Sequence, residues 1–186
     1  MKSFKNFTLN EAKGKSLIIC DVQPHDVGRF ITFDMYKFAD FVNEYDSILV
    51  LYNGADLGWE SEDEMYEYYS EIGIDVDKCE FYEKYYAFFR SMMDYGYDES
   101  EILDVLAFMK KNRIYNSEDI DEKNKEKLGI EEFNDSIYIP DELADKLKKW
   151  SGSDLCGGGK NECLAEIEIL MKHIKSRYKM KSKWVY

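Results

Sequence analysis

The stretch Asp154-Leu155-Cys156-Gly157-Gly158-Gly159-Lys160-Asn161-Glu162-Cys163-Leu164 joins a short apolar run to a long amphipathic segment through three glycines. This order predicts a buried strand, a tight turn and a helix from about Asn161 to Arg177. Cys163 falls where that helix begins. Free N–H groups and a partial positive charge at a helix start favour the thiolate form of a cysteine. Cys163 is therefore a candidate reactive thiol.

Two further apolar runs accompany this unit near the start of the chain. Ser16-Leu17-Ile18-Ile19-Cys20-Asp21-Val22-Gln23 is typical of a buried parallel strand, and 47–52 predicts a second one. Residues 34–45 have helical spacing between them, with Asp34 as a plausible N-cap. Strand, helix and strand in this order predict an α/β chain with a three-layer Rossmann-like fold, in which helices flank a mainly parallel sheet.

The rest of the chain extends this pattern within one domain over 1–186. Further helices are predicted at 60–72, 98–111 and 141–150, and short strands at the beginning of 79–90 and at 184–186. The polar segment 112–135 has few apolar anchors, which predicts an insertion outside the core.

Composition excludes several classes of function. The 186 residues include 45% hydrophobic and 16% aromatic side chains, enough for a sizeable core. The net charge of −13 argues against nucleic-acid and anionic membrane partners, because phosphate contacts need clustered Lys and Arg. Residues 55–80 are the most acidic part and predict a solvated helix face.

The cysteines and the apolar runs predict a cytoplasmic protein. None of the four cysteines belongs to a Cys-x-x-Cys pair, residues 1–9 are polar, and no apolar run approaches the length of a membrane span. We therefore expect reduced thiols.

An acid and an amine occupy positions that can complement Cys163. Asp21 follows the first strand, at the edge where open α/β sheets place functional groups. Lys84 is a single cation in an aromatic neighbourhood. A base can take the thiol proton, a cation lowers the pKa of its neighbours, and N–H groups around Gly158, Gly159 and Glu162 can hold an oxyanion. Taken singly, Asp21 also fits a turn acid and Lys84 a snorkelling surface lysine.

Three places in the chain resemble the isochorismatase-like hydrolases, the cysteine hydrolase superfamily that includes nicotinamidase and N-carbamoylsarcosine amidase. The run 17–23 resembles the family's apolar strand ending in Asp-x-Gln. Glu83-Lys84 before Tyr86-Ala87-Phe88-Phe89 resembles its lysine before an aromatic turn. Residues 157–164 are similar to its Gly-x-x-Thr-Asn/Asp-x-Cys-Val turn. The glycines and the Phe-Phe-Arg stretch also resemble uncharacterised phage-type proteins.

The resemblance implies an enzyme that hydrolyses a small amide or related molecule through a thioester. Asp21 matches the general base, Lys84 the catalytic lysine and Cys163 the nucleophile. It implies no cofactor, a small-molecule substrate and a homo-oligomer, as relatives commonly form. The candidate substrate contacts at the neighbouring strand ends and turns are Gln23, Tyr52, Asn53 and Arg90.

The chain departs from the family in three respects. Lys160 stands where the family has Thr, and the interval before Cys163 is long, with 112–135 as the place for the excess. His25 and His173 are the only histidines, so the Asp-x-His…His metal set of the nicotinamidase branch is missing and we expect no metal.

Two alternatives to the hydrolase remain open. One is a catalytically inactive acidic binding protein on the same fold, with 55–80 and 112–135 as its partner surface. The other is a flavodoxin-like nucleotide binder that holds phosphate on the glycine turn, although the turn lacks GxGxxG spacing.

Overall fold

The computed structural model describes residues 14–54, 58–84, 90–133, 135 and 137–186. The predicted polar lead-in lies almost wholly outside these residues, and so do 55–57 of the acidic run. The aromatic turn at 85–89, which supports the family resemblance, also lies outside them.

The described residues form a five-stranded, all-parallel sheet in the order β3-β2-β1-β4-β5. The strands are β1 Ser16–Cys20, β2 Ser47–Asn53, β3 Cys79–Lys84, β4 Ser153–Gly157 and β5 Tyr178–Met180. The first four follow the apolar runs that predicted them. The predicted α/β fold with flanking helices is therefore confirmed, and the sheet is wholly rather than mainly parallel.

Helices cover both faces of this sheet and give it three layers. They are α1 Met35–Asn43, α2 Glu62–Glu71, α3 Arg90–Asp94, α4 Glu99–Asn112, α5 Glu122–Leu128, α6 Asp141–Lys149 and α7 Cys163–His173. The Asp34 carboxylate accepts hydrogen bonds from two N–H groups at the start of α1, which confirms the predicted cap. Cys163 is the first residue of α7, as the glycine turn predicted.

Alternating side chains of the strands enter two separate cores. One face of the sheet, including Ile18 and Leu155, packs under α4, α6 and α7. The other face, including Leu17 and Val50, packs under α1 and α2. Two fully buried cysteines are divided in the same way. Cys20 lies on the α7 face and Cys156 lies on the α1 face.

Two predictions from the sequence need correction. The last strand is β5 rather than 184–186, because Trp184 packs among the aromatic rings of the α1 face at the end of a short 3-10 helix. The segment 112–135 is not wholly outside the core, since Ile120, Ile130 and Phe133 are buried beside α4. Its few apolar side chains are spaced by turns, so no helical period reveals them.

The strand order reverses between β1 and β4. The loop after β1 leads to one face of the sheet, and the loop after β4 leads to the other face. In open α/β sheets this switch point opens a crevice where ligands bind. Asp21 follows β1 at this crevice, and the three glycines begin at Gly157, the last residue of β4. Among the described residues, no helix is long and apolar enough to span a membrane.

Candidate active site

A buried ion pair lies at the carboxyl edge of the sheet. Lys84 Nζ lies 2.9 Å from Asp21 Oδ2, and the two side chains are 1% and 2% exposed. Burial by itself lowers the pKa of Lys84. The negative charge of Asp21, supported by electrostatic interactions with Cys20 and Cys163, outweighs that effect, so the pKa of Lys84 lies above its ordinary value and the amine stays charged.

This pair is expensive for the fold to bury. Removing two charges from water costs several kcal/mol per ion, on the order of what their attraction returns. In addition, Asp21 Oδ1 is buried and has no hydrogen-bond partner among the described residues. Buried polar atoms normally have a hydrogen-bond partner, so a buried carboxylate oxygen without one is a candidate for contact with a ligand or a proton.

The neighbouring strand end holds Lys84 in place. Asn53 Oδ1, at the end of β2, accepts a hydrogen bond from Lys84 Nζ at 2.8 Å. Gln23 in turn fixes Asn53, because its Oε1 accepts from the Asn53 N–H at 2.8 Å and its Nε2 donates to the Asn53 carbonyl at 3.1 Å. Gln23 Nε2 also donates to Glu60 at 2.7 Å. Gln23 is fully buried and holds Asn53, and through it Lys84, in position.

The backbone at Asp21 is held in an uncommon conformation. Its φ of 47° is left-handed, a region that Asp adopts more readily than most side chains. The Asp21 N–H donates to the Leu51 carbonyl at 2.9 Å, and the Tyr186 hydroxyl donates to the Asp21 carbonyl at 2.8 Å. These two bonds hold the Asp21 backbone on both sides, and its carboxylate lies 2.9 Å from Lys84 Nζ.

The glycine turn brings Cys163 over the end of β1. Gly157 has φ 80°, and a Cβ there would lie 2.2 Å from the Cys20 carbonyl oxygen, so only glycine fits. Gly158 has φ 67°, and a Cβ there would lie 3.2 Å from Cys163 Sγ. The Gly159 N–H donates a hydrogen bond to Cys163 Sγ at 3.3 Å, which holds the sulfur against the turn.

The predicted oxyanion donors are partly corrected by the hydrogen bonds of this turn. The Gly159 N–H already points at the sulfur, and the Glu162 N–H donates to the Gly159 carbonyl at 3.0 Å. Cys163 is the first residue of α7, so its own N–H has no acceptor within the helix. The N–H at this position is therefore better placed to bind an oxyanion than that of Glu162.

The structure brings Asp21, Lys84 and Cys163 together from three separate elements. Cys163 Sγ, an Asp21 carboxylate oxygen and Cys20 Sγ all lie within 4.8 Å of one another. Two thiols and a carboxylate at this spacing can hold a soft metal ion in principle. The charged Lys84 amine lies 2.9 Å from Asp21 and would repel a cation held by the same carboxylate, so the site fits proton transfer better than metal binding.

A cleft of about 850 Å³ opens above these residues. It is lined by Asp21, Asn53, Arg90, Lys160, Glu162 and Cys163, together with side chains from the loop after β1. Arg90 lies 2.8 Å from Asp94 and 3.5 Å from Glu162, so it ties α3 to the Cys163 turn at the rim. Tyr52, another predicted substrate contact, is 2% exposed in the α1-face core and is not part of the cleft lining.

Several cleft residues were not found from the sequence, and two of them, Asp26 and Tyr186, interact with Asp21. Asp26 is 4% exposed, and burial together with the charge of Asp21 raises its pKa to about 6. The Tyr186 hydroxyl lies 3.4 Å from Asp26 Oδ2, in addition to its bond to Asp21. The backbone of Tyr186 also exchanges hydrogen bonds with Gly158 and Lys160, at 3.1 and 2.8 Å. Nothing in the local sequence pattern marks either residue, because tertiary packing alone brings them here.

Comparison with models of known protein families, with curated proteins and with solved structures finds no match. The chain is an α/β protein with a five-stranded parallel sheet. Its function therefore has to be inferred from the site itself.

Proposed function

We propose that the protein is a cysteine-dependent hydrolase that cleaves a small amide or related C–N bond through a thioester. The observation that carries this proposal is the placement of Cys163 Sγ within 4.8 Å of the carboxylate of a buried Asp21–Lys84 pair, at the floor of a cleft. The order Asp, Lys, Cys also matches the isochorismatase-like hydrolases, which we propose as its relatives.

Asp21 acts first, as the general base. It takes the Cys163 thiol proton, either directly or through one water, since the separation of up to 4.8 Å exceeds a direct hydrogen bond. Lys84 remains protonated and stabilises the resulting thiolate beside it. The Gly159 N–H contributes a further hydrogen bond to the sulfur.

The thiolate then attacks the carbonyl carbon of the amide. A C–S bond forms, and the carbonyl oxygen becomes an oxyanion next to the free N–H at the start of α7. Collapse breaks the C–N bond, and Asp21 returns its proton to the leaving amine. Water, deprotonated by Asp21, then attacks the thioester, which releases the acid and restores the thiol.

The cleft limits the substrate class. Its volume of about 850 Å³ suits a small molecule. Asn53 and Arg90 stay as proposed substrate contacts because both line the cleft, and Lys160 adds a cation at its rim. A small amide that also carries an anionic group fits these side chains.

The first test is thiol reactivity. Under mild alkylation at neutral pH, Cys163 should be modified at least about tenfold faster than Cys20, Cys79 and Cys156. Burial raises the pKa of Cys156, and the pKa of Cys79 is also raised to about 12 by burial. Peptide mapping of the labelled sites measures the four rates in one sample. Equal, slow labelling would contradict the proposal and favour the inactive acidic binding protein.

The second test is a screen of small primary amides for released ammonia. Cys163→Ala should abolish activity on any substrate found. Cys156→Ala serves as the matched control, because it removes a buried thiol from the opposite face of the sheet and should leave activity unchanged. Activity that survives in Cys163→Ala would overturn the proposed nucleophile.

A further inference from the structure

One buried thiol beside the candidate site has no part in amide hydrolysis. Cys20 is the last residue of β1, is 0% exposed and faces α7. Its Sγ lies within 4.8 Å of Cys163 Sγ and donates a hydrogen bond to Asp21 Oδ2 at 3.4 Å. Two thiols and a proton acceptor therefore form one compact cluster.

The two thiols differ in their access to solvent. Cys163 is partly exposed and lines the cleft, whereas Cys20 lies behind it and has no exposed surface. A small reagent entering the cleft therefore meets Cys163 first. Burial and the hydrogen bond with Cys163 raise the pKa of Cys20 well above its ordinary value, so Cys20 remains a thiol until its partner has reacted.

We infer that Cys163 and Cys20 form a peroxide-oxidisable pair, in which Cys163 reduces a small hydroperoxide and Cys20 closes a disulfide on the oxidised sulfur. The Cys163 thiolate attacks the outer peroxide oxygen, so an S–O bond forms and the O–O bond breaks. The leaving oxygen takes the proton that Asp21 received from Cys163, and it departs as an alcohol or water. Cys163 is then a sulfenic acid.

The second step uses the buried partner. Asp21 accepts the Cys20 proton along the existing hydrogen bond, and the Cys20 sulfur attacks the Cys163 sulfur. An S–S bond forms, the S–O bond breaks, and the hydroxyl leaves as water with the proton from Asp21. Two thiols have lost two electrons, and the peroxide has gained them.

The movement that this step needs is small. The two sulfurs lie within 4.8 Å, and a disulfide brings sulfurs to about 2.0 Å, so they must approach by less than about 3 Å. Rotation about χ1 of either cysteine moves its sulfur on this scale. Cys163 is at the first position of its helix, where the backbone is less constrained than in the middle.

The experiment oxidises the full-length, reduced protein with hydrogen peroxide and then blocks the remaining thiols by alkylation. Mass spectrometry of the intact chain and of its peptides should find one Cys20–Cys163 disulfide, reversed by a dithiol reductant. In Cys20→Ala, a sulfenic-acid trap should label Cys163, and irreversible overoxidation of Cys163 should rise at least about tenfold. Cys156→Ala should behave as the unmodified chain does, because Cys156 is equally buried but on the other face.

Two results would overturn the inference. One is a peroxide-treated chain without the Cys20–Cys163 cross-link, which needs no variant and so does not depend on how Cys20→Ala folds. The other is equal overoxidation of Cys163 in the presence and absence of Cys20. The test needs a reactive Cys163 but no amide substrate. If the disulfide forms but no amide is cleaved, only the hydrolase proposal is rejected. If an amide is cleaved but the disulfide does not form, only the redox pair is rejected.

Discussion

Two ion pairs of this protein join the same chemical groups in opposite surroundings. The Asp21 and Lys84 side chains are 2% and 1% exposed at the end of the sheet. The Asp34 and Lys37 side chains are 47% and 73% exposed at the start of α1. Water solvates the second pair in the folded and unfolded chain alike, so it contributes little to stability. The first pair loses its hydration on folding, and each ion depends on the other.

The contrast between the two pairs indicates a functional role for the buried one. A pair whose burial gains little net stability is better explained by what it does for a third group. For Asp21 and Lys84 that third group is the Cys163 thiol. The Asp34 carboxylate, in contrast, caps α1, and this local role accounts for its position.

Removal of one buried partner should have the largest effect. Lys84→Met keeps the apolar stem and leaves Asp21 charged and unpaired, so the free energy of unfolding should fall by about 3–5 kcal/mol. Lys37→Met, the matched change in the exposed pair, should not alter it beyond experimental scatter. Urea titration measures both.

The double variant Asp21→Asn/Lys84→Met sharpens this comparison. It removes both charges and should recover a large part of the lost stability, while Cys163 should be alkylated more slowly than in the unmodified chain. A Lys84→Met protein as stable as Lys37→Met would show that water enters the site and that the pair is not buried.

The second largest effect is expected at the glycine turn. Gly157→Ala would place a Cβ 2.2 Å from the Cys20 carbonyl oxygen at φ 80°, which forces the turn away from β1. We expect the free energy of unfolding to fall by roughly 3 kcal/mol or more, because the backbone strain and the clash with the carbonyl oxygen add together. Gly152→Ala is the control, because its φ of 98° carries the same kind of strain but its Cβ meets open space. Equal losses would mean that the turn yields easily and does not position Cys163.

Most of the fold and part of the site could be predicted from the sequence, because many of their elements have a local pattern. Strands such as β1 and β2 are continuous apolar runs because both of their faces are buried, and helices α1 and α4 have side-chain caps that can be read locally. Strand β5 has three residues, one of them an exposed lysine at the sheet edge, so it has no such signature. The aromatic run around Trp184 was the stronger local pattern, but tertiary packing placed it in a core.

The same distinction applies to the site. Asp21, Lys84 and Cys163 each stand at a strand end or helix start, and parallel topology collects such positions at one edge. Asp26 and Tyr186 reach the cleft through loop and chain-end packing, which no short-range pattern encodes. Cys20 was visible beside Asp21, but its distance from Cys163 depends on how α7 crosses β1.

A smaller effect should appear in the pH dependence of stability. The pKa of Asp26 is raised from 3.8 to about 6 by burial and by Asp21, so the folded chain holds that proton more tightly than the unfolded chain. Its stabilising contribution is present below about pH 4 and is lost as the pH rises through about 6. The free energy of unfolding of Asp26→Asn should therefore rise relative to that of the unmodified chain as the pH increases from about 4 to about 6, by on the order of 1–2 kcal/mol.

Unfolding titrations of both chains from acidic to neutral pH measure this difference. Asp34→Asn is the control of opposite sign. Backbone hydrogen bonds to the start of α1 lower the pKa of Asp34, so its contribution is present at neutral pH and lost on acidification. A flat difference curve for Asp26→Asn would mean that solvent reaches this carboxyl and that Asp21 does not affect it.

The smallest effect is expected from a single hydroxyl. Tyr186→Phe removes the hydrogen bond to the Asp21 carbonyl while the two backbone bonds of Tyr186 to the glycine turn remain. One buried hydrogen bond is worth about 1 kcal/mol, so the free energy of unfolding should fall by that amount. Tyr36→Phe removes a hydroxyl from a side chain that is 72% exposed and should leave the free energy of unfolding unchanged.

If the Tyr186 hydroxyl also holds Asp21 in its left-handed conformation, Cys163 alkylation should slow in Tyr186→Phe and stay constant in Tyr36→Phe. The same stability and the same alkylation rate in both variants would show that the Asp21 conformation is set by β1 and Leu51 alone.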